Sequence, residues 1–424
     1  VGSEMCIRDR AMIIKRDYYL QQLISSKSNN LIKIVTGIRR SGKSFLLFNL
    51  FHNHLIETGV SEDHIIEIAL DDRLNKNLRD PDVILQHIHE RIVDDKLYYV
   101  ILDEVQMIDE FTDVLNSLLH IRNADVYVTG SNSKFLSKDV VTEFRGRGDE
   151  IHLFPLSFAE LYNSLGGDKL ELWKSYYTYG GLPGILELDG EKKKAAYLRS
   201  LHETVYLKDI IERNNLKNSE EFMELMRVMA SCIGSPCNPS KLEKTFKSVK
   251  NETLDRKTIS KYLSYMEDAF LIEKSMRYDI KGRKYIGTLS KYYFQDIGLR
   301  NALLNFRQVE ENHIMENVIY NELRLRGFCV DVGMVETRTA TERKQLEVDF
   351  VANMADRRYY IQSAFAMPDD DKREQESASL KRIDDSFKKI IIMRDDIKPY
   401  HDNNGFYIVG LMDFLLKPDL IEQL

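Results

Sequence analysis

Residues 37–44 read Gly37, Ile38, Arg39, Arg40, Ser41, Gly42, Lys43 and Ser44, a complete G-x-x-x-x-G-K-[ST] run. No other stretch constrains the fold as tightly. Two glycines let the backbone curl until successive N–H groups point inward, a cradle suited to phosphate oxygens. A lysine adds a mobile positive charge and a serine adds a hydroxyl for Mg²⁺. The flanks fit this reading. Leu31–Val35 is a short apolar run with β-branched residues, suited to a buried strand, and Phe45–Phe51 is apolar enough to start a helix. Strand, glycine loop and helix in this order predict the opening βα unit of a parallel α/β sheet.

A phosphate loop of this kind needs acids at the end of a second strand. Leu97–Leu102 is apolar and runs into Asp103 and Glu104. Asp103 is placed to hold Mg²⁺ together with Ser44, and Glu104 to orient or deprotonate an attacking water. A third strand, Ala124–Val128, leads into Thr129, Gly130, Ser131, Asn132 and Ser133. Strand tips at the carboxyl edge of a parallel sheet face the ligand crevice, so a polar residue there can meet the γ-phosphate or the water. Asn132 is the first candidate, with Ser131 and Ser133 as alternatives, and a plain turn would use the same residues. Phe144–Gly148 carries Arg145 and Arg147 between glycines. Either arginine can serve as a finger on a neighbour's nucleotide, which would make the chain a homo-oligomer; the segment can equally be a solvated basic loop.

Composition narrows the class. The chain has 424 residues and a formal net charge of −7, so any surface for nucleic acid must be local. The four cysteines, Cys6, Cys232, Cys237 and Cys329, form no C-x-x-C pair and no Cys/His zinc spacing. That pattern fits free thiols in a reducing cytoplasm. No apolar run approaches the length of a membrane span. Residues 1–11 lack helical or strand periodicity and resemble translated sequencing-adapter DNA; Met12 is the expected start.

Strand candidates at 31–36, 64–69, 97–102, 124–129 and 150–154 alternate with helical patterns, which predicts a nucleotide-binding core over 12–160. Residues 161–235 read as helical, broken at Tyr179–Pro183 by Gly180, Gly181 and Pro183. Residues 236–305 read as a winged helix. A short basic helix spans 240–249, and a second starts near Asp255 with apolar positions 259, 262, 263, 266 and 270. A hairpin comes next, with a basic tip at Lys281, Arg283 and Lys284. From 236 to 300 there are fourteen Lys/Arg and eight Asp/Glu, a local charge of +6, which makes this segment the candidate surface for duplex DNA. The same fold could instead contact protein.

Residues 306–424 read as a third domain with the layout of a PD-(D/E)xK nuclease core. Glu316 or Glu322 lies on a helix, Asp349 on one strand and Gln362 on the next. Ala364 stands where the lysine belongs and Gln362 is neutral; a lysine from elsewhere, such as Lys344 on the preceding loop, could move in, but the domain is expected to be inactive and to recognise a protein partner or close over the nucleotide-binding core. The run Asp369–Asp371 reads as a solvated loop.

Six motifs now stand in order: GIRRSGKS, LDEVQ, TGSNS, GR followed by FPLSF, YGGLP, and EVDF with its later IQ. Together they resemble the bacterial and archaeal AAA-type P-loop ATPases that carry a C-terminal domain of unknown function with a nuclease-like fold. The resemblance spans 12–424. It implies an α/β P-loop core, a helical or winged-helix middle and a restriction-endonuclease-like α/β end. It also implies ATP and Mg²⁺ as ligands, and it carries over Gly37, Gly42, Lys43, Ser44, Asp103 and Glu104, with Arg147 beside them. The expected function is Mg²⁺-dependent ATP hydrolysis that drives or switches contact with DNA or protein. The alternative is a nucleotide-gated binding module with negligible turnover.

Overall fold

Four short, largely apolar segments and one polar edge segment build the first sheet: β1 (Ile32–Thr36), β2 (Ile65–Ala69), β3 (Tyr98–Asp103), β4 (Ala124–Thr129) and, at the edge, β5 (Gly148–His152). All pair in parallel, in the order β2-β3-β4-β1-β5. The computed structural model describes residues 14–130, 146–250, 254–338 and 343–423. The chain divides into two compact units, one of 1–156 with 163–166, the other of 157–162 with 167–424.

In the first unit both sheet faces are covered, which is why β1 to β4 read as largely apolar runs rather than alternating ones. One face packs Ile34, Ile68, Leu102 and Val128 against Ile84 and Ile88 of the helix Pro81–Arg91 and Leu115 of the helix Phe111–Leu118. Asp80 starts the former by accepting the N–H groups of Asp82 and Val83, with Pro81 in the first turn. The other face packs Val35, Tyr99 and Tyr127 against the helix Asp17–Ser25 and the helical run beyond the glycine loop, Lys43–Phe45, Leu46–Phe51 and His52–Glu57. The fifth strand starts two residues earlier than its apolar residues suggest, because Gly148 already pairs with Ile32.

The second unit holds an eight-stranded mixed sheet. Its strands are β6 (Ile272–Asp279), β7 (Lys284–Phe294), β8 (Cys329–Arg338), β9 (Arg343–Met354), β10 (Arg357–Ala364), β11 (Lys388–Met393), β12 (Tyr400–His401) and β13 (Tyr407–Gly410), in the order β12-β13-β11-β10-β9-β8-β6-β7. The helices Pro239–Thr245 and Arg256–Asp268 precede the β6–β7 hairpin, the helix-helix-hairpin order expected. The hairpin is continuous with the C-terminal strands. Arg277, Tyr278 and Asp279 of β6 pair in parallel with Val332, Gly333 and Met334 of β8, so one sheet runs across the expected boundary at 305/306. The reason is non-local: a two-stranded hairpin gains stability by adding to a larger sheet.

The helix Glu311–Leu325 buries Ile314, Val318, Ile319 and Leu323 in the core of this unit with Phe350, Ile361 and Ile390. The acidic run at 369–371 is not a loop. Asp369 accepts the backbone N–H of Lys372 and caps the helix Asp370–Lys381. Short polar side chains favour that position because they satisfy the first-turn N–H groups. At the Tyr179–Pro183 turn, Gly180 has φ +76° and a Cβ there would lie 2.5 Å from the Asp296 carboxylate. That carboxylate accepts the N–H groups of Gly181 at 2.8 Å and Leu299 at 2.9 Å. Burial raises its pKa to about 6, against the pull of these donors.

Candidate nucleotide site

The glycine loop leaves β1 at its carboxyl end. Gly37 sits at φ +135°, and a Cβ on it would fall 2.2 Å from the Leu153 carbonyl oxygen, so a side chain is excluded by contact as well as by backbone conformation. Gly42 is left-handed at φ 98° and opens the helical run at Lys43. Lys43 is buried, and its ammonium donates to the carbonyls of Gly37 at 3.0 Å and Ile38 at 3.1 Å. Arg16 braces the loop from outside by donating to Phe154 O at 2.7 Å and Ser41 O at 3.4 Å.

Opposite the loop, Asp103 ends β3 and Thr129 ends the adjacent β4. Ser44 donates its hydroxyl to Asp103 Oδ2 at 2.7 Å. Thr129 donates its hydroxyl to Asp103 Oδ1 and accepts the backbone N–H of Glu104 at 2.9 Å. Glu104 itself is left-handed, at φ 54° and ψ 48°, an unfavourable conformation for a side-chain-bearing residue that this bond helps to hold. The Gln106 amide donates to Glu104 Oε2. Burial raises the pKa of Asp103, the Thr129 and Ser44 hydrogen bonds pull it back, and the charges of Glu104 and Asp71 add to the rise. A cation bound there would relieve that buried negative charge.

The structure therefore brings together Gly37 through Ser44, Asp103 and Glu104. Asn132, with Ser131, Ser133 and Arg145, lies outside the described residues. Arg147 is exposed at the amino edge of the sheet, where its carbonyl accepts the Ile32 N–H at 2.9 Å. The loop springs from the opposite edge, about 13 Å away along β5 at ordinary strand rise. Arg147 is thus not part of its own chain's site. Thr129 and Gln106 join the site without having stood out in the sequence. Their signal is thin: a hydroxyl on the last residue of a strand, and an amide two residues beyond the second acid.

Residues 29–162 match the family model described as an AAA domain, and residues 170–310 match a domain of unknown function (DUF8612). An uncharacterized protein of Haemophilus influenzae is 33% identical over 414 residues, covering 96% of this chain and 99% of the relative. The chain belongs to this AAA-domain P-loop ATPase family. An uncharacterized protein of Methanocaldococcus jannaschii is 29% identical over 397 residues, covering 89% of this chain and 83% of the other. Among solved structures, Aeropyrum pernix ORC1 in complex with DNA is similar at 12% identity and a TM-score of 0.29, covering 69% of this chain and 92% of that one.

In this AAA protein the basic middle segment is less uniformly available than its composition suggests. Arg277, Lys291 and Arg300 are buried. Lys241, Lys244 and Lys247, then Arg256, Lys257 and Lys261, and the hairpin tip Lys281, Arg283 and Lys284 are exposed. No helix among the described residues is long and apolar enough to cross a membrane.

The nuclease-like constellation is also rearranged. Glu322 pairs with Arg326 at 2.8 Å, leaving Glu316 as the helix acid nearest Asp349. Ala364 is buried, and Lys344 lies outside the described side chains. The lysine at this cluster is Lys291 of β7, 2.8 Å from Glu316, 2.7 Å from Glu347 and 3.7 Å from Asp349. This lysine stands far earlier in the chain than the acids it meets.

Proposed function

We propose that the chain hydrolyses ATP with Mg²⁺ and uses the cycle to drive or switch its hold on duplex DNA through 236–300. The supporting observation is the hydrogen-bonded chain Ser44–Asp103–Thr129–Glu104, which ties the phosphate loop to both acids. Ser44 and Asp103 supply adjacent hard oxygen donors, the kind Mg²⁺ takes, and Mg²⁺ when bound neutralises charge on the β and γ oxygens. Lys43 exchanges its two carbonyl acceptors for phosphate oxygens. Glu104 accepts a proton from the water whose oxygen bonds to the γ-phosphorus as the bridging bond to ADP breaks. Arg147, exposed and remote from its own loop, suits a neighbour's nucleotide in a homo-oligomer, and the 306–424 segment suits a protein partner in the cytoplasm.

One observation favours the second reading, a nucleotide-gated switch. The Gln106 amide occupies a Glu104 carboxylate oxygen. A steady-state rate below roughly one turnover per hour with DNA present would support that switch. For the DNA arm, filter binding of a duplex across a salt series should give a log–log slope of about −0.9 per phosphate contacted. Replacing Lys281, Arg283 and Lys284 together with Ala should flatten it. An unchanged slope removes the hairpin tip from the interface, and no binding at about 50 mM salt with or without ATP removes DNA.

A further inference from the structure

The nuclease-like layout implies a divalent metal between Glu316 and Asp349. The side chains do not fit one. Lys291, with 2% of its side chain exposed, places Nζ within 2.8 Å of Glu316 Oε1, 2.7 Å of Glu347 Oε1 and 3.7 Å of Asp349 Oδ1. The acids are committed to other donors as well. Tyr293 donates its hydroxyl to Glu316 Oε1 at 2.8 Å, and the Ser363 N–H donates to Asp349 Oδ2 at 2.8 Å. Among the described residues no group of three or more His, Cys, Asp or Glu is arranged to hold a metal ion. A divalent ion bridging these oxygens would face the ammonium across one layer of oxygen, with like charges in a buried setting.

We infer that the Lys291 ammonium is the resident cation of this carboxylate site and takes the place of a divalent metal. The three acids come from two elements, the helix Glu311–Leu325 and β9, while the lysine comes from β7. The ammonium therefore fastens the basic hairpin to the rest of its own sheet. An ion pair of this kind fixes geometry without offering a labile water, so the site serves attachment rather than hydrolysis. The inference does not depend on the ATPase reading, which concerns other residues.

The test uses the full chain without nucleotide and Mn²⁺ as probe, read by loss of the free Mn²⁺ resonance signal. Wild type and Asp349→Asn should bind the same amount of Mn²⁺. Lys291→Met should gain one further Mn²⁺ per chain, and Lys291→Met with Asp349→Asn should lose it again. Mn²⁺ binding by wild type that disappears in Asp349→Asn overturns the inference, as does a folded Lys291→Met that gains none. Should Lys291→Met fail to fold, the comparison of wild type with Asp349→Asn decides alone: equal binding supports the resident ammonium and reduced binding overturns it.

Discussion

Two buried lysines sit in contrasting surroundings. Lys43 holds the carbonyl oxygens of Gly37 and Ile38, whereas Lys291 holds three carboxylates. Carbonyl acceptors on a glycine loop are exchanged at small cost when a triphosphate arrives, because phosphate oxygens are stronger acceptors. Buried ion pairs are not: removing one partner leaves the other charge unpaired. Burial opposes the Lys291 charge, but Glu316, Asp349 and Glu347 outweigh it and raise its pKa. A buried lysine beside acids is therefore not by itself a catalytic sign. What the ammonium holds before ligand arrives separates a mobile group from a fixed one.

The largest expected effect sets the two lysines apart. Lys291→Ala should lower unfolding free energy by about 3–5 kcal/mol in a urea titration and leave ATP affinity within about twofold. Lys43→Ala should do the reverse, weakening ATP binding by about 100-fold or more, roughly 3 kcal/mol, with little change in the urea midpoint. If both variants lose stability alike, the contrast is wrong.

Asp296 extends the contrast to a buried charge held by backbone N–H groups. Burial raises its pKa from 3.8 to about 6. Between those values the unfolded chain ionises while the folded one keeps its proton. The contribution to stability is therefore fully present below about pH 4 and lost as pH rises through about 6, an effect of about 3 kcal/mol. Asp296→Asn should flatten that part of the stability–pH curve measured by urea unfolding; an unaltered curve would assign the dependence elsewhere.

Thr129 carries a smaller effect. Thr129→Val keeps the shape and removes the clamp on Asp103 and Glu104. It should lower kcat by about 10- to 100-fold, roughly 1.4–2.7 kcal/mol, with KM nearly unchanged, and Thr129→Ser should restore most of the rate. A loss confined to KM would mean that the hydroxyl acts in binding instead.

How far the sequence reveals the molecule depends on the same division between local and assembled sites. The phosphate loop is contiguous, and its chemistry is written in eight adjacent residues, so its position, its strand and its helix are all readable. Four of the five parallel strands are readable because burial on both faces makes each a short apolar run, whereas the edge strand β5, with Gly148, Asp149 and Glu150, is polar and its bounds are displaced from the expected 150–154. Thr129 is visible only as the residue before a turn, since its role depends on β4 lying beside β3. The carboxylate cluster is half readable. Glu316 and Asp349 fit a known layout, and Glu347 lies two residues before Asp349 on the same strand, but Lys291 joins them only through the fold. The hairpin's place in the eight-stranded sheet is hidden for the same reason, and the 369–371 acids look solvated because a capping carboxylate and a loop carboxylate have the same sequence surroundings.

The proposed chemistry rests on Glu104, set in a left-handed turn by Thr129, activating the water that attacks ATP. ATP turnover by Glu104→Gln beside wild type, with nucleotide affinity measured on the same samples, probes that step alone. ATP affinity should stay within about threefold while kcat falls by about 100-fold or more, as for loss of a general base. Turnover at the wild-type rate with intact binding would contradict the assignment and remove Glu104 from the chemistry.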